Sequence, residues 1–410
     1  MSDLKTHLAA LDTATDRMVA RTMEWCAINS GTNNIDGIHK SAAQIMPAFE
    51  AIGLTCEEQA PAPVTHVSDS GDVIEIPRAG AYVLSNRPQA NRRILLTGHL
   101  DTVFPKDHHF QKIVNRGDGT LHGPGCADMK GGICVMLEAI TAFEKTPYAE
   151  HVGIDVIFNA DEETGSHASA HVLADKAKSA DIGLVFEPAL PDGTLAGARA
   201  GSGHYTFTVK GLAAHAGREF DKGRNAIVGA ANVIAAVNAL NGQRENTTMN
   251  IGVINGGVAT NVVPDTCVIR MNARGRSPED LRWVDEQMQQ IVSGQNFGPD
   301  IEVSLHGGIH RPVKTNTGGT LALFELVKAA GADLGLNIGW QATGGCCDGN
   351  NLADAGLPNV DTLGVRGGHI HSDKEFAVIE SFTERAKLAC LVMLMLASGA
   401  CPWPERLKGN

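Results

Sequence analysis

Ile94-Leu95-Leu96-Thr97-Gly98-His99-Leu100-Asp101-Thr102 is the stretch that decides the fold class. Its short apolar run Ile94–Thr97, with no alternation, reads as a buried strand, the habit of a parallel sheet. The run stops at a glycine, and a histidine and an aspartate follow at once. The same pattern recurs downstream. Ile154–Asn159 leads into Ala160-Asp161-Glu162-Glu163-Thr164-Gly165, and Ile182–Phe186 into Glu187-Pro188. Val360–Val365 leads into Arg366-Gly367-Gly368-His369-Ile370-His371-Ser372-Asp373. Helical spacing falls between these runs at Gly132–Phe143 and Thr320–Leu334, so the alternation predicts an α/β layer on a mostly parallel sheet. In such sheets ligands gather outside the carboxyl ends of the strands. Four strands thus bring His, Asp or Glu to one edge. Asp128, in Gly123-Pro124-Gly125-Cys126-Ala127-Asp128, adds a further carboxylate just before a helix beginning near Gly131.

Outward from this core, apolar spacing predicts two N-terminal helices, Asp3–Ala27 and Ile38–Ile52. The stretch from Gly201 to Pro312 follows a different order: strand Tyr205–Val209, helix Asn225–Leu240, strands Met249–Ile254 and Cys267–Asn272, a helix opened by Ser277-Pro278, and strand Ile301–Leu305. That β-α-β-β-α-β order is the ferredoxin-like unit. The expected layout is one α/β domain, 1–199 and 314–410, interrupted by an inserted α+β domain, 200–313. With 34 Lys+Arg against 46 Asp+Glu, the formal charge of −12 speaks against a nucleic-acid surface, which is built from basic side chains. The apolar run Leu388–Leu396 is too short to span a bilayer and reads as a buried helix. The N-terminus lacks a basic stretch leading into an apolar core, so no signal peptide is expected. Nine scattered cysteines without CxxC spacing read as reduced thiols in a cytoplasmic protein. No GxGxxG or GxxxxGK[ST] follows a strand, which removes a nucleotide-binding reading.

A lone His or Glu at a strand end is usually a solvated loop residue. Five such positions on one edge need another explanation, and imidazole with carboxylate but no thiolate suits zinc or a similar dication. At this point the residues resemble the M20 metallopeptidases. The matching motifs are His99-Leu100-Asp101, Gly-Pro-Gly-x-Ala-Asp128-x-Lys-Gly-Gly, Asp161-Glu162-Glu163-x-Gly-Ser, Phe-Glu187-Pro and His371-Ser-Asp-Lys, spread over about residues 90–376. The resemblance implies a zinc-peptidase catalytic domain with two Zn²⁺ per subunit, Co²⁺ or Mn²⁺ being alternatives. His99 and Glu187 would hold one ion, Glu163 and His371 the other, and Asp128 would bridge them. Asp101 would orient His99, and Glu162 would be the general base. His369 rivals His371; the position before Ser-Asp-Lys favours His371. His108, His109, His122, His151 and His167 match no motif and read as surface or loop residues.

The inserted domain would serve as lid and dimerisation unit in a homodimer. His215, in Gly211-Leu-Ala-Ala-His215-Ala-Gly217, resembles the family histidine that steadies the oxyanion of a neighbouring subunit. Asn261 and Arg274 resemble lid residues gripping substrate, and Arg311 the residue that binds its α-carboxylate. Thr343-Gly344-Gly345-Cys346-Cys347-Asp348 departs from the family's Gly-Gly-Thr/Ser-Asp, which leaves the substrate open. The implied activity is cleavage of a small anionic amide or peptide, glutamate carboxypeptidase-like. The alternatives are an N-acyl-amino-acid deacylase of the acetylornithine or succinyl-diaminopimelate type, and a non-catalytic binding protein on the same fold. Neither nucleic acid nor membrane is expected as a partner.

Overall fold

The computed structural model describes residues 2–294 and 297–406. Its main layer is a six-stranded sheet in the spatial order Thr55–Gln59, Ala81–Ser85, Val152–Asn159, Arg92–His99, Ile182–Val185, Asn359–Val360. Ala81–Ser85 runs against both neighbours, and the four strands from Val152–Asn159 to Asn359–Val360 are parallel. Arg92–His99 sits between Val152–Asn159 and Ile182–Val185, so the chain crosses from one side of it to the other. The crevice at the carboxyl ends of these three strands is the topological switch point, where an open α/β sheet has room for a ligand.

The strands are mostly apolar because both faces are covered. Ile94 and Leu96 face a core built with helices Lys130–Glu144, Gly318–Asp333 and Glu380–Ala397. Leu95 faces the opposite core, with Ala170–Ser179 and Asp348–Asp354. Leu388–Leu396 is buried throughout, as expected of a helix apolar on all sides. No helix among the described residues is long and apolar enough to cross a membrane.

The inserted unit is a four-stranded antiparallel sheet in the order Thr247–Gly256, Thr266–Gly275, Gly201–Lys210, Glu302–Arg311. Helices Ala226–Leu240 and Pro278–Gly294 pack on it around their own core. Asn225 accepts from the backbone of Ile227 and Val228 at the start of the first helix. At the second, the Ser277 hydroxyl accepts from Asp280 N and the Asp280 carboxylate accepts from Ser277 N, a reciprocal cap. The chain leaves and re-enters side by side, since Arg199 and Lys314 exchange backbone hydrogen bonds at 2.9 and 3.1 Å.

Three expectations change. The Asp3–Ala27 helix is broken: a 3-10 turn, Thr6–Leu11, buries Leu8 and Leu11 before helix Thr15–Cys26 begins. Asp12 at the break pairs with Lys387, and Thr15 bonds Thr383, so both sides of it are tied to the C-terminal helix. Val360–Val365 forms a ladder only at Asn359–Val360, because Thr362 turns into the left-handed region (φ 62°) and Asp361 is drawn to Arg199 and Lys314. Finally, Thr55–Gln59, Ala81–Ser85 and the hairpin Val64–Val67 with Val73–Ile76 are strands beyond those predicted.

Candidate metal centre

His99 ends its strand, and Glu162 and Glu163 form a single 3-10 turn after Val152–Asn159. Glu187 follows Ile182–Val185 by two residues. His371 stands on a turn between the short strands Gly367–Gly368 and Phe376–Val378. Asp128 precedes helix Lys130–Glu144 in a loop held by a carboxylate that sequence reasoning missed. Buried Glu375 accepts from Gly125 N (3.0 Å), Ala127 N (2.9 Å) and Asp128 N (3.1 Å). It sits at the end of the His371 motif with no spacing signal of its own. Burial, with the Asp128 charge nearby, pushes its pKa up to about 7.

Asp128 is the geometric hinge of the group. Its Oδ1 lies 3.1 Å from His99 Nε2, and its Oδ2 lies 3.3 Å from His371 Nε2. Glu187 Oε2 is 3.8 Å from the same nitrogen of His99, and Glu163 Oε2 is 3.1 Å from that of His371. Two triads therefore share Asp128, His99–Asp128–Glu187 and Asp128–Glu163–His371, each offering ligand atoms within 4.8 Å of one another. His369 does not reach this group; its ring packs near Phe376.

His99 Nδ1 lies 2.9 Å from the Asp101 carbonyl and 3.5 Å from its carboxylate. With Nδ1–H donated there, the Nε2 lone pair faces the cluster. The Asp101 carboxylate also accepts from Glu162 N, Glu163 N and the Thr32 hydroxyl, fixing the acidic turn beneath the cluster.

Crowding of buried carboxylates governs the electrostatics. Burial pushes Glu163 up to about 8, helped by the Asp128 charge, while burial raises Glu187 and Glu162 against the opposing pull of His99 and Arg311. Burial also opposes ionisation of Asp128, but hydrogen bonds from His371 and His99 hold it below the usual range. His371 is pushed up to about 11 by its bonds to Asp128 and Glu163. Positive charge at this spot relieves the repulsion, and nitrogen and oxygen donors without thiolate fit Zn²⁺ or a similar dication. The residues present fit two metal ions.

A cavity of about 260 Å³ opens over the cluster. Its walls carry Glu162, Glu163, Glu187 and His371, with Leu190, Leu195, Ile370 and Cys346 opposite. Arg311, expected to meet a substrate carboxylate, is instead buried and occupied. Nη2 bonds Glu162 Oε1 (2.7 Å) and O (3.1 Å), and Nη1 bonds Asp348 (2.7 Å) and Asn351 (3.0 Å). Arg199, which lines the cavity, is also taken, by Asp361. Arg274 is different. It touches Asn272 Oδ1, Gly344 O and Cys346 Sγ and has no carboxylate partner among the described residues. The two cysteines have separate positions: Cys346 lies between Arg274 and Ala200 O, and Cys347 caps helix Asp348–Asp354. His215 and Asn261 are brought together, Ala216 N donating to Asn261 O, yet neither lines the cavity.

The chain is similar to known proteins along most of its length. The profile of Peptidase family M20/M25/M40 matches residues 95–395. Carboxypeptidase G2 of Pseudomonas sp. (strain RS-16) is 28% identical over 400 residues, covering 94% of this chain and 91% of its own. Succinyl-diaminopimelate desuccinylase of Nitrosospira multiformis is 29% identical over 294 residues, covering 67% and 75%. Among solved structures, a tripeptidase from Staphylococcus aureus superposes with a TM-score of 0.72 at 26% identity, over 94% of this chain and 99% of that one.

Proposed function

This chain belongs to peptidase family M20/M25/M40 and is a metal-dependent hydrolase, and from that premise we propose that it cleaves small amides bearing a free carboxylate at a two-metal centre. The observation that carries this reading is Asp128, whose two oxygens each face a different histidine–carboxylate pair. Bound by His99, Asp128 and Glu187 on one side and by Asp128, Glu163 and His371 on the other, two Zn²⁺ (or Co²⁺ or Mn²⁺) would polarise the scissile carbonyl and ease deprotonation of water.

The remaining work falls to the chain's own groups. Arg311 holds Glu162 by Oε1, which leaves Oε2 for the proton. Glu162 takes that proton from the attacking water and hands it to the amide nitrogen as the C–N bond breaks. Asp101 keeps the His99 ring and the Glu162–Glu163 turn in register. Leu190, Leu195 and Ile370 give the cavity an apolar wall for the acyl group. Arg274 does not line the cavity but bonds Cys346 in its wall, and is the cation we assign to an anionic substrate, with Asn261 on the same inserted unit. His215 would complete the oxyanion site of a second subunit. Its exposure, and the exposed Ile227, Val228, Val253 and Ile254 on one helix and the edge strand of the inserted unit, support a homodimer through that unit. All nine cysteines are free thiols, which supports a cytoplasmic setting.

The substrate class is an N-acyl amino acid or the C-terminal residue of a small peptide, glutamate carboxypeptidase-like. Deacylation of acetylornithine or succinyl-diaminopimelate type is the second reading, favoured by the desuccinylase likeness. A panel of acyl-glutamate, acyl-aspartate, acyl-ornithine and dipeptides separates the two. Glu162→Gln is expected to lose about 10²–10⁴-fold in kcat while keeping its metal content. Retained turnover in that variant would sink the assignment of the base.

A further inference from the structure

Away from the carboxylates, three histidines from both parts of the molecule converge. His167 stands on the turn that follows Glu162–Thr164, and His204 and His310 stand on the adjacent strands Gly201–Lys210 and Glu302–Arg311 of the inserted sheet. The strand register shifts between the Ser202–Arg311 and Gly203–Ile309 pairs, so His310 is the extra residue of a bulge, the device by which a sheet re-aims a side chain. The His204 and His310 rings are stacked with centroids 4.2 Å apart, and those of His167 and His310 are 5.0 Å apart. One nitrogen from each lies within 4.8 Å of the other two.

Two further observations mark this as a binding site rather than a packing accident. His310 Nδ1 is buried without a hydrogen-bond partner among the described residues. Gly165 (φ +104°) leaves the intervening space open: a Cβ there would lie 3.1 Å from His310 Nε2 and 3.2 Å from His167 Nε2. The rings edge a cavity of about 880 Å³ whose wall also carries His66 and His306. Burial, aided by their mutual repulsion, holds His167 down at about 4 and His310 at about 2, and burial with the Arg274 charge lowers His204. At neutral pH the lone pairs are therefore free of protons, the state in which imidazole binds a metal. Tetrahedral zinc with Zn–N bonds of about 2.1 Å needs nitrogens about 3.4 Å apart, so the rings, whose nitrogens now lie within 4.8 Å, would turn toward the ion on binding.

We propose that His167, His204 and His310 form an all-nitrogen site for a borderline dication of the Zn²⁺, Ni²⁺ or Cu²⁺ type, which clamps the inserted unit to the turn carrying Glu162 and Glu163. Neutral imidazole selects these ions over Mg²⁺ or Ca²⁺. His310 is followed directly by Arg311, which holds Glu162. An ion here would therefore fix the lid strand and the proposed base in one arrangement. The inference does not rest on the two-metal reading, since no residue is shared with the carboxylate cluster.

Cu²⁺, which outcompetes Zn²⁺ at nitrogen ligands, titrated in excess into the Zn²⁺-loaded protein and followed by electron paramagnetic resonance tests it. The expected signal shows hyperfine splitting from three nitrogens and is lost in the double variant His167→Gln/His204→Gln, with zinc at the carboxylate centre retained. The carboxylate triads hold one histidine each, so a signal with a single nitrogen overturns the proposal. A three-nitrogen signal that survives the double variant also overturns it, placing the ion elsewhere, as at the neighbouring rings of His108 and His109. The wild-type nitrogen count stands by itself should the double variant fail to fold.

Discussion

Arg311→Lys separates two roles for the same residue. In the fold, Arg311 is a fork with both arms engaged: Nη2 serves Glu162, and Nη1 serves Asp348 and Asn351, with both carboxylate contacts at 2.7 Å. Lysine keeps the charge but offers one nitrogen, which cannot sit against both carboxylates. At least one charge-assisted hydrogen bond is lost, at about 1.5–3 kcal/mol. A buried carboxylate is also left short of a partner, so the expected loss of stability is about 3 kcal/mol. Urea denaturation reads this as a lower midpoint at unchanged slope. Kinetics separates the roles. If Arg311 positions Glu162, a shift of the base by about 1 Å lowers kcat by about 10²-fold with little change in KM. If Arg311 grips the substrate carboxylate, KM rises and kcat is kept. A KM increase of about tenfold or more at wild-type kcat would refute the positioning role.

Arg274→Met removes a cation that no carboxylate among the described residues neutralises; KM for an anionic substrate is expected to rise by about 10–100-fold with kcat held, the worth of one charge-assisted bond. An equal KM for charged and carboxamide substrates in the wild type would count against it. Burial pushes the Asp361 carboxyl up, but Arg199 and Lys314 outweigh it and hold the group below the ordinary carboxylate range. Its stabilisation is therefore complete above about pH 3.9 and is lost as pH falls through the lower folded value. Asp361→Asn should cost about 3–5 kcal/mol at pH 7 and flatten that acid limb in urea titrations, whereas an unchanged pH profile would contradict the pairing. Mixing His215→Ala subunits with Glu162→Gln subunits should restore activity in the hybrid dimer; no recovery would place His215 outside the partner's site.

Much of this site could be read because its residues stand where buried strands stop. Both faces of Arg92–His99 and Val152–Asn159 are covered, so their sequences are mostly apolar, with buried Asp155 paired to Arg93, and the first polar residues beyond them face the crevice. His371 was separable from His369 by the motif that follows it, and the turn between two short strands accounts for the difference in reach. Arg311 was not legible in this way. What occupies its guanidinium is Glu162, 149 positions away, and Asp348, 37 positions away, and no local pattern encodes either contact. Glu375 was missed for the same reason, since it acts on backbone nitrogens of a loop about 250 residues earlier. The edge strand Thr55–Gln59 is polar and mostly exposed, so it lacks the run that betrayed its neighbours. His167 reads as a loop residue until the bulge at His310 and the first strand of the inserted sheet meet it.

In the proposed centre one carboxylate joins two metal positions. Asp128 lies 3.1 Å from His99 and 3.3 Å from His371 through different oxygens. Metal analysis of wild-type and Asp128→Ala protein, loaded with zinc and gel-filtered side by side, measures what that carboxylate holds. The variant is expected to carry two fewer divalent ions per chain. A variant that keeps its full metal content, or loses only one ion, would contradict it.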